Sequence, residues 1–263
     1  MGYHRAGFDV FGVDLRRNLQ NPFPYFVGDA LAYLDSHGQE FDAVHASPPC
    51  QAHSILKNRH RDDFDSMLFP MTAHPDLVPA TRAALIAAGL PYIIENVPGA
   101  PLLDPVILCG SMFGLGAVCE DGWRQLKRHR LFESNVPLIP PGPCVHVGDT
   151  VGVYGNGGGG LRAATRGYKA TQQEGNAALG TGWMSVYGMS QAIPPAYTEW
   201  LGAQLLDHLA GKAPGAVVLS PVGPARGGDG LLGGPSDHSR DRHYPVPYID
   251  ETPDIACYHA AGE

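Results

Sequence analysis

Apolar residues in the first hundred positions fall into short runs separated by stretches of helical spacing. Phe8 to Leu15, FDVFGVDL, reads as a buried strand ending in an acid. NPFPYFVGDALAYLDSH follows, a short strand running into Gly28-Asp29 and then a helix from about Ala30. FDAVHAS, Phe41 to Ser47, is a further strand, and Pro75 to Leu90 has helical periodicity ending in a glycine stop. Pro91 to Ala100, PYIIENVPGA, predicts a strand that enters a Pro-Gly turn. Strands alternating with helices imply an α/β fold, with a mostly parallel sheet and helices on both faces.

The regularity stops after HRLFES. From PLIPPGPC through the glycine-rich GNGGGG segment the pattern is loop-like and polar. Order returns with an amphipathic helix from Pro195 to Leu209, opened by proline. Beyond Gly211 the chain turns to Pro, Gly, Ser and charge, which predicts a disordered tail. The domain reading is therefore a core over 1–134, a short irregular region over 135–189, a returning helix over 190–212 and a tail over 213–263.

Composition narrows the function classes. Of 263 residues, 44% are hydrophobic and 17% charged, enough apolar material for a sizeable core. No apolar run approaches the length of a membrane span and no signal-peptide pattern follows Met1, so a soluble, cytoplasmic protein is expected. The five cysteines include no C-x-x-C pair, which argues against a zinc ribbon or a disulfide framework. Cys144 and His146 have metal-ligand spacing, but the sequence offers no matching second pair, so no metal is expected. A net charge of -8 excludes a generally basic nucleic-acid binder. Local basic clusters at Leu56–Arg61, Arg124–Arg130 and Arg162–Lys169 still leave room for a nucleic-acid groove.

Ligands of open α/β sheets bind at the carboxyl ends of the strands. Asp14, Asp29, the stretch Ser47 to Cys50, and Glu95-Asn96 all stand at such predicted ends. Taken singly, an acid there is a helix cap or turn residue. A thiol and a carboxylate on the same edge carry more meaning.

These residues resemble the cytosine-C5 DNA methyltransferase family. SPPCQ is similar to its Pro-Cys-Gln nucleophile motif, ENV at a strand end to its glutamate motif, and GSMFGL followed by KRHRLF to the motif ending in paired arginines. QAIPPAYTEWLG resembles the last motif, and the set appears in family order across roughly Met1 to Ala210. Methyltransferases acting on amino groups share SPP but follow it with an aromatic residue; Cys50 in that place can attack a base and cannot stack on one.

The resemblance implies a Rossmann-like, S-adenosylmethionine-dependent methyltransferase sheet with a small irregular target-recognition insertion. It implies a covalent mechanism on carbon 5 of a flipped cytosine in double-stranded DNA. Cys50 would be the nucleophile, Glu95 the group that holds N3 and the exocyclic amine, and Arg128 and Arg130 the cations that stabilise the adduct. Asp14, Leu15, Asp29, Ala30, Pro49 and Gln191 would hold the cofactor. Gln51, Ser54, Arg162, Arg166 and Lys169 would contact DNA. A monomer in a bacterial or phage-infected cell, working beside a cognate restriction endonuclease, is the implied setting. Action on RNA cytosine, or nucleic-acid binding without turnover, are the alternatives.

The sequence departs from the family in four places. The glycine-rich opening motif has no counterpart, which implies either a start upstream of Met1, the favoured expectation, or a fragment with impaired cofactor binding, and leaves the expected sheet without its first strand. Leu126 stands where the arginine motif has glutamine, and Gln191 where the last motif has asparagine. The recognition interval is short, predicting a short target or relaxed specificity.

Overall fold

The computed structural model describes residues 1–16, 21–50, 52–53, 75–154, 168–212 and 254–260. It is an α/β structure with two mixed sheets. The larger sheet has seven strands: β1 (Phe8–Asp14), β2 (Tyr25–Val27), β3 (Ala43–Ser47), β4 (Tyr92–Asn96), β5 (Val106–Leu108), β8 (Arg130–Ser134) and β11 (Asp254–Ala260). Their spatial order is β2-β1-β11-β3-β4-β8-β5. β1 pairs with β2 in parallel, and β3 with β4 likewise, whereas β8 and β11 run antiparallel to their neighbours. The mostly parallel sheet expected from the sequence is thus a mixed one.

Three of the predicted helices form with their expected positions. α2 (Ala30–His37) is capped by Asp29, and α3 (Val78–Ala88) ends at Gly89 in the left-handed region. The last, α6 (Pro195–Leu209), opens on proline as read. A short α1 (Gly2–Ala6) precedes β1. The sheet buries both faces, so its strands read as apolar runs, and alternation along them sorts side chains between two cores. Phe8, Ala43, Ile93 and Phe132 join Tyr3 of α1 and Tyr197, Leu201 and Leu205 of α6. Val13, Val44, Ala46, Tyr92 and Ile94 pack instead on Ala30 and Leu34 of α2 and Leu85 of α3.

α1 lies unusually close to α6. A Cβ on Gly202 would come within 2.8 Å of the Ala6 Cβ, and one on Gly2 would collide with Thr198 and the Pro195 carbonyl. Only glycine permits that approach. It brings Tyr3 over the sheet edge that carries the site.

Two expectations are corrected here. Composition predicts a disordered tail from 213 onward, yet residues 254–260 form β11 in the middle of the large sheet, between β1 and β3. β11 fills the slot between β1 and β3, and fills it antiparallel. β1 and β3 would each carry unpaired backbone groups along that slot, and β11 satisfies both rows. Its Tyr258 ring is buried against Tyr3 and Phe8, 4.2 and 5.6 Å between centroids. A seven-residue strand was hidden by the surrounding Pro- and Gly-rich composition; residues 213–253 lie outside the described ones.

The second correction concerns 135–189. This interval is not simply irregular but contributes to a small subdomain with its own core. β6 (Gly116–Cys119), β7 (Gly122–Leu126), β9 (Thr150–Gly152) and β10 (Tyr168–Lys169) form a four-stranded sheet in the order β10-β9-β7-β6. α4 (Gln172–Leu179) and α5 (Val186–Gln191) pack on it through Leu179, Ala178 and Met189. Thr171 and Glu174 cap α4 reciprocally, a T-x-x-E signature present in the sequence. Half of the sheet comes from 116–126, so the subdomain boundary is spatial and does not follow the linear division at 134.

Candidate functional site

β3 and β4 are neighbours, and β8 runs antiparallel beside β4 with Leu131 opposite Asn96. The carboxyl ends of β3 and β4 and the start of β8 therefore lie on one edge. Three separated segments deliver Ser47 to Cys50, Glu95-Asn96 and Arg128 to Arg130 to that edge.

Cys50 follows β3 on the Pro48-Pro49 pair, half-buried. Prolines fix φ and carry no N–H, so the segment holds its shape by other bonds. The buried Asn96 side chain donates to the Pro48 carbonyl at 3.0 Å, tying the loop to β4. The Cys50 carbonyl accepts from His53 N at 3.0 Å, and His53 Nε2 lies 2.9 Å from Asp76 at the start of α3.

Glu95 points to the α1/α6 side of β4, where the strand's alternation puts Ile93. It is buried, and Arg130 Nε approaches its Oε1 at 3.0 Å. Burial raises the Glu95 carboxyl above its ordinary range, while Arg130, a hydrogen bond from Ser47 and the Arg128 charge pull it down. Cys50 feels the same groups. Burial raises its thiol, the Glu95 charge raises it further, and Arg130 and Arg128 act in the opposite direction. The Glu95 charge thus holds the thiol back from ionising. Anything that takes up the Glu95 negative charge favours the thiolate.

Behind this edge runs a buried polar chain. The Tyr3 hydroxyl lies 2.8 Å from His45 Nδ1, and His45 Nε2 lies 3.1 Å from Ser47 Oγ, which in turn bonds Glu95. Burial depresses His45 to about 4 and leaves it neutral, and burial followed by the Glu95 charge pushes Tyr3 well up. Sequence reasoning passed over His45 and Tyr3; the signal was a polar residue inside the apolar run FDAVHAS.

The two arginines separate. Arg130 is the one that meets Glu95. Arg128 is buried, its Nη1 and Nη2 donating at 2.7 Å to the carbonyls of Val153 and Ser190, while its own carbonyl accepts from Tyr197 Oη at 2.6 Å. It brackets the small subdomain onto the large sheet, and its Nε is left without a partner. Arg130 faces the carboxylate, and Arg128, whose charge also acts on Glu95 and Cys50, joins the two sheets.

The residues expected to hold a cofactor divide similarly. A cavity of about 320 Å³ opens at the ends of β1 and β3, lined among others by Gly12, Asp14, Tyr25, His45, Ser47 and Ile193. Asp14 belongs to it, and Leu15 follows directly at the end of β1. Asp29 instead caps α2 through Ala32 N at 2.9 Å, and Ala30 is fully buried in the core. Both have structural roles that account for them. Pro49 stays in the Cys50 loop, and Gln191 ends α5 exposed, its amide donating to Ser190 Oγ at 3.0 Å.

Lys169 lies in β10 of the small sheet, half-buried. Its neighbour Tyr168 is committed to packing: its hydroxyl donates to Glu174 at 2.7 Å and the Arg124 guanidinium lies 4.9 Å over its ring. Gln51, Ser54, Arg162 and Arg166, with residues 55–74 of the loop after Cys50, lie outside the described residues. The expectation of no metal ligand set is also corrected: Cys109 and His129, far apart in sequence, come together with Cys144 and His146. No helix among the described residues is long and apolar enough to cross a membrane.

The edge offers a shielded thiol, a buried acid with a raised proton affinity and a paired cation within one cluster, beside a cavity at the point where the sheet runs outward in two directions. Such a set suits nucleophilic addition to a polar ring. Set against models of known protein families and against curated proteins, the chain matches none.

Proposed function

We propose that the chain is a DNA cytosine-5 methyltransferase that works through a covalent Cys50 adduct on a flipped base. The observation that carries this reading is the meeting of Cys50, Glu95 and Arg130 from three separate segments at one sheet edge, with Glu95 ion-paired to Arg130 at 3.0 Å.

In this mechanism the cytosine leaves the stack and enters the edge. The Cys50 thiol gives up its proton to solvent and the thiolate adds to carbon 6, which makes carbon 5 enamine-like. The raised proton affinity of Glu95 suits it to place a proton on, or share one with, ring N3 as electron density moves there. Until that proton moves, the protonated Glu95 carries no charge to oppose the Cys50 thiolate. Arg130 then balances the electron-rich adduct. Loss of the carbon-5 proton to solvent after methylation expels the thiolate and restores the ring double bond.

S-adenosylmethionine supplies an electrophilic methyl group when bound. The cavity's chemistry fits the nucleoside end of such a molecule: Asp14 offers a carboxylate to ribose hydroxyls at a strand end, and Tyr25 an aromatic face. β11, standing in the slot between β1 and β3, favours one second reading, a protein that binds nucleic acid without turnover.

Bisulfite sequencing of DNA from cells expressing the chain, beside Cys50→Ala, tests the proposal. Methylcytosine from the parent alone is expected, along with a persistent Cys50 adduct on DNA containing 5-fluorocytosine, from which fluorine cannot leave as a proton does. DNA binding with neither methylcytosine nor adduct would establish the second reading instead.

A further inference from the structure

Cys109, His129, Cys144 and His146 converge from three segments at the far side of the arginine-bearing strand. Cys109 sits between β5 and the turn at Gly110–Phe113, fully buried. His129 immediately precedes β8. Cys144 and His146 belong to the Pro- and Gly-rich segment between β8 and β9, and one intervening residue in an extended chain turns both side chains the same way. The four donor atoms all lie within 4.8 Å of one another. Cys144 Sγ is 3.2 Å from both His129 Nε2 and His146 Nε2, and Cys109 Sγ is 3.3 Å from His146 Nε2. The two imidazoles meet edge to face, 5.1 Å between centroids.

We infer that these four side chains form a structural zinc site. Zinc bound at about 2.3 Å to sulfur and 2.0–2.1 Å to nitrogen sets the S···N edge of its tetrahedron at about 3.6 Å. The observed separations are close to that edge without any rearrangement of the backbone. Two thiolates and two imidazoles match the softness of zinc, and two thiolate charges cancel the dication. Binding releases the two thiol protons to solvent. Ser111 Oγ, 3.6 Å from Cys144 Sγ, is placed to donate to a thiolate. With four protein ligands the site has no open position, so its role is to hold structure.

The fold gives such a clip something to do. Residues 140–148 have no regular secondary structure, and Val145 and Val147 are exposed, so apolar burial does little to hold this stretch. Zinc would join it to β5 and to His129, the residue between Arg128 and Arg130. The small subdomain, whose β9 follows directly, would then be fixed to the large sheet both by Arg128 and by the metal. This inference stands independently of the proposed methyl transfer.

The test is metal content of the whole chain, purified under reducing conditions with zinc supplied. About one zinc per chain is expected, and cobalt exchanged for it should give the visible bands of tetrahedral cobalt and thiolate charge transfer. Cys144→Ser and His146→Ala, both in the exposed segment, should drop the zinc content below about 0.2 per chain with far-ultraviolet circular dichroism retained. Cys50→Ser should leave the content at one, which separates this site from the thiol of the proposed reaction. A zinc-free chain whose cobalt titration shows no thiolate bands overturns the inference. So does a native Cys109–Cys144 disulfide detected by mass spectrometry.

Discussion

The buried histidine His45 makes stability pH-dependent in a way that can be worked from its surroundings. It lies between Tyr3 and Ser47, with the Phe132 ring at 6.5 Å, and burial lowers it from 6.5 to about 4. The unfolded chain takes a proton on this ring below pH 6.5, and the folded chain refuses it until about pH 4. Stability from this group is therefore full above pH 6.5 and falls as acid is added. The linkage amounts to about 2 kcal/mol lost by pH 5 and about 3 kcal/mol by pH 4. His45→Gln keeps a polar side chain in the position and removes the titration. Urea denaturation of parent and variant at pH 7 and pH 5 should show the parent losing about 2 kcal/mol more than the variant between the two. Other titrating groups, Glu95 included, cancel in the difference. Parallel losses within about 0.5 kcal/mol would refute a neutral, desolvated His45.

Further outcomes follow from two ion pairs. Glu133 is 3% exposed and accepts from Arg82 Nε and Nη2 at 2.6 and 2.7 Å and from Leu103 N at 2.8 Å. Arg82→Ala strands that carboxylate and should cost about 3–5 kcal/mol in denaturant unfolding; a loss under about 1 kcal/mol would show that water reaches it. Glu95→Gln should lower the single-turnover methylation rate by about 10²–10⁴-fold at pH 7, with DNA affinity little changed. The same change should improve relative stability as pH rises, because a carboxyl with a raised pKa is stabilising below its ordinary value and loses that contribution as it ionises. A rate within threefold of the parent would remove Glu95 from the proposed chemistry.

The hydrophobic pattern located β1, β3, β4, α2, α3 and α6 because buried strands and amphipathic helices announce themselves over a few residues. The same local signals marked Cys50 and Glu95, each at the end of an apolar strand. Local pattern could not divide Arg128 from Arg130, since the distinction lies in which carbonyl or carboxylate each meets across the fold. Nor could it show that Asp29 caps a helix while Asp14 lines a cavity, two acids in equivalent sequence positions.

Sequence by itself thus determined the alternating elements and the residue types presented at their ends, which depend on near neighbours. Tertiary structure alone decided what depends on distant ones. β11 finds two partners more than 200 positions away, through backbone hydrogen bonds that carry no sequence signature. Cys109 and His129 become companions of Cys144 and His146 only when β5, β8 and the segment beyond are brought side by side.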